Sequence, residues 1–370
     1  MALSQVGLER LNEKVTRKIG QKKNIIINGE MQIAQRGTSV TGLSSSNKVQ
    51  ALDRMFCRIN GAGTWTISQS TEAPAGFGHS LKWDCTTADA SPAASDFNYI
   101  SQRFEGQNLQ HLAKGTSSAV KTTLSFHVKS NKTGTFAVLL TDNDNTRQVG
   151  ATYTINAADT WEKKTITFPG DTTGELDDDA AHSMNIIWWM VVGTDRTSGT
   201  AATTWESSVN ANAAVGHNVN MADSTSNEFY ITGIQWEVGN TATDFEFISL
   251  ADNLRACRRY CYVYNVKQNN FIGNTSLFAN STTQVKGAFF FPVEMRAYPT
   301  YSADSFNIRF RAGNSSSNFN ANSLTHEMGD DFADFPQHWG FNVTTSSITG
   351  GQAGLLQGQA NGQIRFESEL

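Results

Sequence analysis

Residues 184–192 read Met-Asn-Ile-Ile-Trp-Trp-Met-Val-Val. The run has strand length and is apolar at both odd and even positions, which predicts a central β-strand covered on both faces. Working outward, the same chemistry recurs with a period of two. Leu124, Phe126 and Val128 alternate with polar neighbours, as do Phe136, Val138 and Leu140, then Ile166 and Phe168, then Ile234, Trp236 and Val238. Gly233, just before the last set, marks a bulge or a close packing contact. Upstream, Ile25, Ile26 and Ile27 form a β-branched run that predicts a strand, stopped by the turn signal Asn28-Gly29. The Ser/Thr/Gly-rich stretch 37–47 predicts a loop. Short strands at this spacing, without long helical patterns between them, predict an all-β chain with a β-sandwich over 24–250. No repeat of about 20–30 residues, the mark of a β-helix or other solenoid, is present.

On either side of this block the pattern changes. Residues 1–23 predict a short amphipathic helix: Leu8, Leu11 and Val15 fall at i, i+3 and i+7, and Ile19 lies one turn further on. Such a stripe serves to anchor the chain or to join identical chains, or it folds back on its own domain. Residues 251–261 (ADNLRACRRYC) predict a short helical brace capped by Asp252 or Asn253, with Leu254, Cys257 and Cys261 on one face. Alternation then resumes at Phe289, Phe291 and Val293, at Phe306, Ile308 and Phe310, at Trp339, Phe341 and Val343, and at Ile364 and Phe366. The expectation is a second, smaller β domain over 262–370.

Composition agrees with this architecture and excludes several functions. Charged residues make up 17% of the 370, while Ser, Thr, Asn and Gly are abundant beside 22 Phe, 8 Trp and 8 Tyr. The average charged fraction is about 25%. Aromatics pack on pleated surfaces and Gly and Asn supply turn dihedrals, so the mixture suits short strands with polar turns. A net charge of −5 argues against nucleic-acid binding, which needs a basic face. No apolar run reaches the roughly 20 residues that cross a bilayer. The N-terminus carries no apolar signal-peptide core, so the expected product is made in a cytoplasm and not exported by a standard signal. The four cysteines, Cys57, Cys85, Cys257 and Cys261, read as buried free thiols rather than a disulfide framework.

Catalytic motifs are missing from the local sequence. No two of the 7 histidines stand at HxH or HxxxH spacing, and there is no GxSxG elbow, phosphate loop or dinucleotide fingerprint. Glycoside cleavage needs two carboxylates flanking one bond. Asp84, Glu105 and Glu237 are available, but carboxylates are too common for their presence to carry weight. The expectation is a non-enzyme. Asp142, Asp144 and Asn145 in a TDNDN turn, and the run Asp177–Asp179, supply the oxygen ligands that a structural calcium ion needs. Neither follows the EF-hand spacing, and a solvated hairpin turn is the simpler reading. Trp188, Trp189 and Trp236 read as core. Trp205 stands in the polar stretch 194–227, either packed under its own loop or exposed to stack on a sugar. Gln235 and Glu237 alternate with Ile234, Trp236 and Val238 and so face the opposite side, toward solvent, a subunit or a glycan. Gln35, Arg36, Asp53 and Arg54 can form an arginine–carboxylate network across strand ends.

Three linked segments resemble a family of phage virion appendage proteins, the tail-fibre, head-fibre and decoration proteins with a carbohydrate-binding-module-like jelly roll. They are NGEMQIAQRGT (28–38) with Leu52-Asp53-Arg54, KTTLSFHVKS (121–130) with Gly134-Thr135, and ITGIQWEVG (231–239) with ATDFE (242–246) and Cys257-Arg258-Arg259-Tyr260. FPVEMRAYPT (291–300) continues the likeness more faintly. The resemblance implies a jelly-roll sandwich on a virion, frequently a homotrimer, in contact with other virion proteins and with host surface glycan. It transfers no catalytic residue. A tail fibre or spike is the first expectation and a capsid decoration or head fibre the second. A polysaccharide-degrading tailspike enzyme is the rival of another class.

Overall fold

The structure is a computed structural model that describes residues 22–313, 315–326, 337–346 and 348–370. The stripe Leu8, Leu11, Val15 and Ile19 lies outside the described residues. Eleven strands share the first hydrogen-bonded array. They are β1 (Ser39–Val49), β2 (Phe56–Ser70), β3 (Ser80–Thr87), β4 (Phe97–Glu105), β5 (Thr122–Ser130), β6 (Gly134–Asp142), β7 (Arg147–Ile155), β8 (Glu162–Phe168), β9 (His182–Val192), β10 (Glu206–Ser207) and β11 (Glu228–Val238).

The array is a sandwich folded from one continuous ladder. One layer runs β3-β11-β5-β8 and the other β4-β9-β6-β7, every pairing antiparallel. Counted along the chain from β3 and leaving out the two-residue β10, these are strands one, eight, three and six facing two, seven, four and five. That is the strand order of a jelly roll. β2 serves both layers. Its first half pairs with β4 (Phe56 opposite Ser101, Asn60 opposite Phe97) and its second half with β3 (Trp65 opposite Cys85, Ser70 opposite Ser80). Between the halves Gly61, Ala62 and Gly63 take φ of 74°, 53° and 81°. Left-handed backbone turns the corner there, and glycine takes it at little cost. The Ala62 carbonyl is held by the Trp65 indole (2.9 Å) and the Asn98 amide (3.0 Å).

The layers meet through aromatic rings. Phe126 of β5 packs edge-on to Tyr153 of β7 (5.1 Å) and Trp188 of β9 (6.0 Å), and Phe136 of β6 meets Phe229 of β11 at 5.7 Å. The MNIIWWMVV run is the central strand β9, between β4 and β6. Met184, Ile186, Trp188 and Met190 enter the main core, whereas Ile187 and Trp189 join a second cluster with Phe97, Tyr99, Ala213 and Ala214 on the outer face. Both faces are therefore covered, as its sequence requires.

Two local expectations are corrected. Residues 25–27 are extended but join no ladder. Ile25 N–H donates to Trp236 O (2.9 Å), while Ile27 exchanges both of its backbone bonds with the Gln102 side-chain amide (2.8 Å each). A side chain thus takes the place of a neighbouring strand. Residues 37–47 are not a loop, because β1 begins at Ser39 and pairs with β2 through several register shifts. An exposed flanking strand needs no apolar alternation, so its Ser/Thr-rich sequence hid it.

The brace forms as α1 (Leu250–Arg258), with a different cap from the expected one. Ser249 is the N-cap, accepting from Asp252 N–H (3.1 Å) and donating its hydroxyl to the Asp252 carboxylate (2.6 Å). Asn253 instead accepts from Asn28 N–H (3.1 Å), tying the helix to the first turn. Beyond it, β12 (Cys261–Val266), β13 (Phe271–Ala279), β14 (Gln284–Phe290), β15 (Thr300–Ala303), β16 (Asn307–Ala312), β17 (Ser315–Asn320), β18 (Thr325–His326), β19 (His338–Thr344), β20 (Ala353–Gly358) and β21 (Gly362–Glu367) build a second sandwich. Its sheets run β12-β21-β15 and β17-β16-β20-β13-β14-β19-β18. Phe366 meets Phe289 at 5.2 Å and Tyr301 stacks on Trp339 at 4.5 Å, closing a core between them.

Candidate functional site

The residues singled out from the sequence fall in three places. Trp205 lies under its own loop: the indole N–H donates to Pro169 O (2.8 Å) and the ring stands 4.7 Å from the Lys114 ammonium. Gln235 and Glu237 are buried beneath residues 243–246. Gln235 Nε2 donates to Glu237 Oε1 (2.8 Å), Thr243 gives Glu237 its N–H and hydroxyl (2.8 Å each), and Glu246 N–H donates to Gln235 Oε1 (2.8 Å). Both side chains are thus engaged in fastening the segment that leads to α1. The polar side chains follow from the bulge at Gly233. There β11 carries one extra residue between the pairs Thr232–His127 and Gln235–Ser125, and Gly233 sits at φ 60°.

Asp142, Asp144 and Asn145 form a turn built round an internal cation. Lys114, buried, donates to the Asp142 carboxylate, to Asp171 Oδ2 (2.9 Å) and to the carbonyl of Gly174 (2.8 Å). Asn145 donates to Asp142 Oδ2 (2.9 Å), and Asp144 accepts from Asp177 N–H (3.0 Å). Arg147 closes the cluster with two bonds to Asp171 (2.7 and 3.1 Å). Burial pushes the Asp171 carboxyl up, but Arg147 and Lys114 outweigh it and hold it below its usual range. Among the described residues no group of three His, Cys, Asp or Glu side chains is placed to hold a metal ion. Of the residues read as calcium ligands, Asp142 is occupied by the Lys114 ammonium, while Asp144 and Asn145 make their bonds within the turn and its neighbours.

The carboxylates considered for glycoside cleavage are also in use. Asp84 lies 3.5 Å from Lys82, and Glu237 is bonded as above. Glu105 is fully buried at the junction of the two sandwiches. It accepts a bidentate pair from Arg259 (2.9 and 2.6 Å), the Tyr260 hydroxyl and Gln107 Nε2 (2.5 Å). Burial raises its pKa, but Arg259 and Tyr260 reverse the shift, so the group is held ionised. That suits a structural anchor and not a proton donor.

The network expected from Gln35, Arg36, Asp53 and Arg54 exists and reaches further than strand ends. Gln35 N–H and Nε2 donate to Asp53 (3.1 and 2.5 Å), and Arg36 lies 3.4 Å from it. Further bonds cross to the second sandwich. Arg36 pairs with Glu367 (2.5 Å) and Glu369 (3.0 Å), Arg54 with Glu369, and Gln35 Nε2 with the carbonyl of Cys261 (2.8 Å). Arg54 also lies 3.5 Å over the Tyr260 ring. Arg296 completes the seam by donating to the carbonyls of Ser368 (2.7 Å), Glu369 (3.1 Å) and, in the jelly roll, Ala180 (2.9 Å).

Beside this seam runs a groove of about 560 Å³, within the size range of small-ligand sites. Arg36, Gln50 and Phe56 form its jelly-roll wall, and Arg296, Tyr298 and Arg365 the wall of the second sandwich. Gln50 Nε2 and Arg365 Nε are buried without an acceptor among the described residues. The wall is therefore rich in donors, and its polar groups come from both sandwiches.

No protein-family profile matches the sequence, and no curated protein matches it. Some solved structures align with part of the chain. The enzymatically active domain of tailspike protein 4 from bacteriophage CBA120 is 11% identical over 58% of this chain and 21% of its own, with a TM-score of 0.30. A putative sugar-binding protein from Bacteroides thetaiotaomicron is 13% identical over 59% and 100%, at 0.33. A family 11 carbohydrate-binding module from Clostridium thermocellum is 11% identical over 56% and 99%, at 0.29. The aligned region spans about a fifth of the tailspike domain. At scores this low the jelly-roll assignment rests on the strand order itself.

Several residues of the seam escaped the sequence reading. Glu367 and Glu369 alternate with Phe366, Ser368 and Leu370, so two acids on one side of the C-terminal stretch were visible, but nothing local linked them to Arg36 and Arg54 more than 300 positions away. Lys114 and Arg365 carried no signal at all.

Proposed function

We propose that this chain is a non-catalytic structural protein of a phage particle, a tail-fibre or spike component that contacts host surface glycan. One observation carries the reading. Two β-sandwiches are joined by a buried arginine–carboxylate seam, and beside the seam an open groove offers donors and the Tyr298 ring but no free pair of carboxylates. A polysaccharide hydrolase needs an acid and a base or nucleophile with tuned protonation. Here Glu105 is ionised and fully bonded, and Glu237 fastens a backbone segment. A rigid unit with short polar turns suits a part that projects from a particle. Other virion proteins and two further copies of the chain are its partners in this reading, and its place is the virion.

The test has two arms. Purified chain is incubated with host capsule and lipopolysaccharide; retention of the protein with no shortening of the glycan is expected, and shortened products would overturn the non-catalytic reading. Antibody labelling of intact particles is expected at the tail. Label over the capsid would replace the fibre with a decoration or head-fibre protein.

A further inference from the structure

The groove at the seam is chemically one-sided. Arg36, Arg296 and Arg365 line it against Glu367 and Glu369. Arg36 is already paired with both glutamates, and Glu369 is shared with Arg54. Arg296 spends its donors on three backbone carbonyls and forms no ion pair among the described residues. Arg365 joins none of the ion pairs formed by arginines among the described residues. The groove is thus locally cationic in a chain of net charge −5. Such a patch concentrates anions.

Hydrogen bonding narrows the ligand further. Arg365 and Gln50 line opposite walls of one groove, and Arg365 Nε and Gln50 Nε2 are buried donors without a protein acceptor among the described residues. Neither nitrogen can accept, so a partner has to offer acceptor lone pairs, and beside the charges of Arg296 and Arg365 a carboxylate offers them best. A planar guanidinium fork matches a carboxylate through two parallel bonds. Tyr298, half-buried, adds apolar wall on which the body of a sugar ring can rest.

We propose that the groove between the sandwiches binds a carboxylate-bearing sugar of an acidic polysaccharide, with Arg365 and Gln50 holding the carboxylate. The proposal rests on the glycan-binding reading above and adds the class of sugar and the residues that select it. Because the site takes walls from both sandwiches, binding requires the seam to be closed.

Calorimetric titration of the full chain tests it, with tetragalacturonate and its methyl ester as probes and a neutral glucan oligosaccharide alongside. The wild type is expected to bind the free acid, to lose most of that affinity when the acid is esterified, and to bind more weakly as salt rises. Arg365→Gln is expected to weaken binding by about 10- to 100-fold, the range for hydrogen bonds to a charged group. Its melting temperature should stay unchanged, because Arg365 makes no ion pair to lose. Equal binding of acid and ester, or an undiminished Arg365→Gln variant, would overturn the proposal while leaving glycan binding intact. Failure of every probe and of host glycan to bind would instead sink the glycan reading itself.

Discussion

Lys114 shows how much one side chain can decide. It stands in Leu-Ala-Lys-Gly-Thr, with no sequence signal that it is buried, yet it neutralises Asp142 and Asp171 from within. Removing one partner of a buried ionic cluster leaves uncompensated charge and costs about 3–5 kcal/mol. Lys114→Met is therefore expected to lower the unfolding free energy by about that amount in urea denaturation. Lys129→Met, which breaks an exposed pair with Glu72 at 3.0 Å, should leave the midpoint within error. The same site bears on the calcium reading of Asp142, Asp144 and Asn145. With the Lys114 ammonium already seated on Asp142, millimolar calcium is expected to leave the wild-type melting temperature unchanged; a rise of several degrees would show that the turn takes a divalent cation.

At the scale of elements, the sequence was informative wherever a residue acts through its own backbone, and silent where partners are distant. Gly233 announced a bulge, Asn28-Gly29 a turn, and MNIIWWMVV a doubly covered strand. Each property is local. By contrast, the Ser/Thr-rich β1 looked like a loop because an exposed flanking strand needs no alternation. The Ile25–Ile27 run looked like a strand because nothing local reveals that Gln102 supplies its hydrogen bonds. Strand order was invisible for the same reason, since a jelly roll pairs β3 with β11. The bulge provides the test at this scale. A Cβ on Gly233 would sit 2.7 Å from Phe77 Cζ and 2.9 Å from His127 Nδ1, on backbone at φ 60°. Gly233→Ala should cost about 1–2 kcal/mol from the left-handed conformation, with more from displacing the Phe77 ring. Gly78→Ala, which meets nothing within 4 Å and has no positive φ, is the control and should be neutral in the same denaturation experiment.

The whole molecule depends on carboxylates at the seam, which makes its integrity a function of pH. Glu105 is held below its ordinary value of 4.5 by Arg259 and Tyr260 despite burial. A carboxyl depressed in the folded state binds fewer protons there than in the unfolded chain. It therefore contributes stability above its unfolded pKa, and that contribution is lost as pH falls through the folded value. Asp171 acts in the same direction inside the jelly roll. Asp53 acts in the opposite one, because burial outweighs Arg36 and Gln35 and raises its pKa, so its protonation is resisted less. The seam should thus weaken in acid through Glu105 first, not through Asp53. Melting temperature measured from pH 7 to pH 3 should be flat for the wild type down to about 4.5, the ordinary value for a glutamate, and fall below it. Glu105→Gln removes the titrating group and leaves Arg259 without its anion. The variant should melt lower than the wild type at pH 7 and lose less on acidification, so that the two curves converge in acid. Parallel curves would mean that Glu105 does not govern the junction, and that the Arg36–Arg54–Glu369 contacts hold the sandwiches together without it.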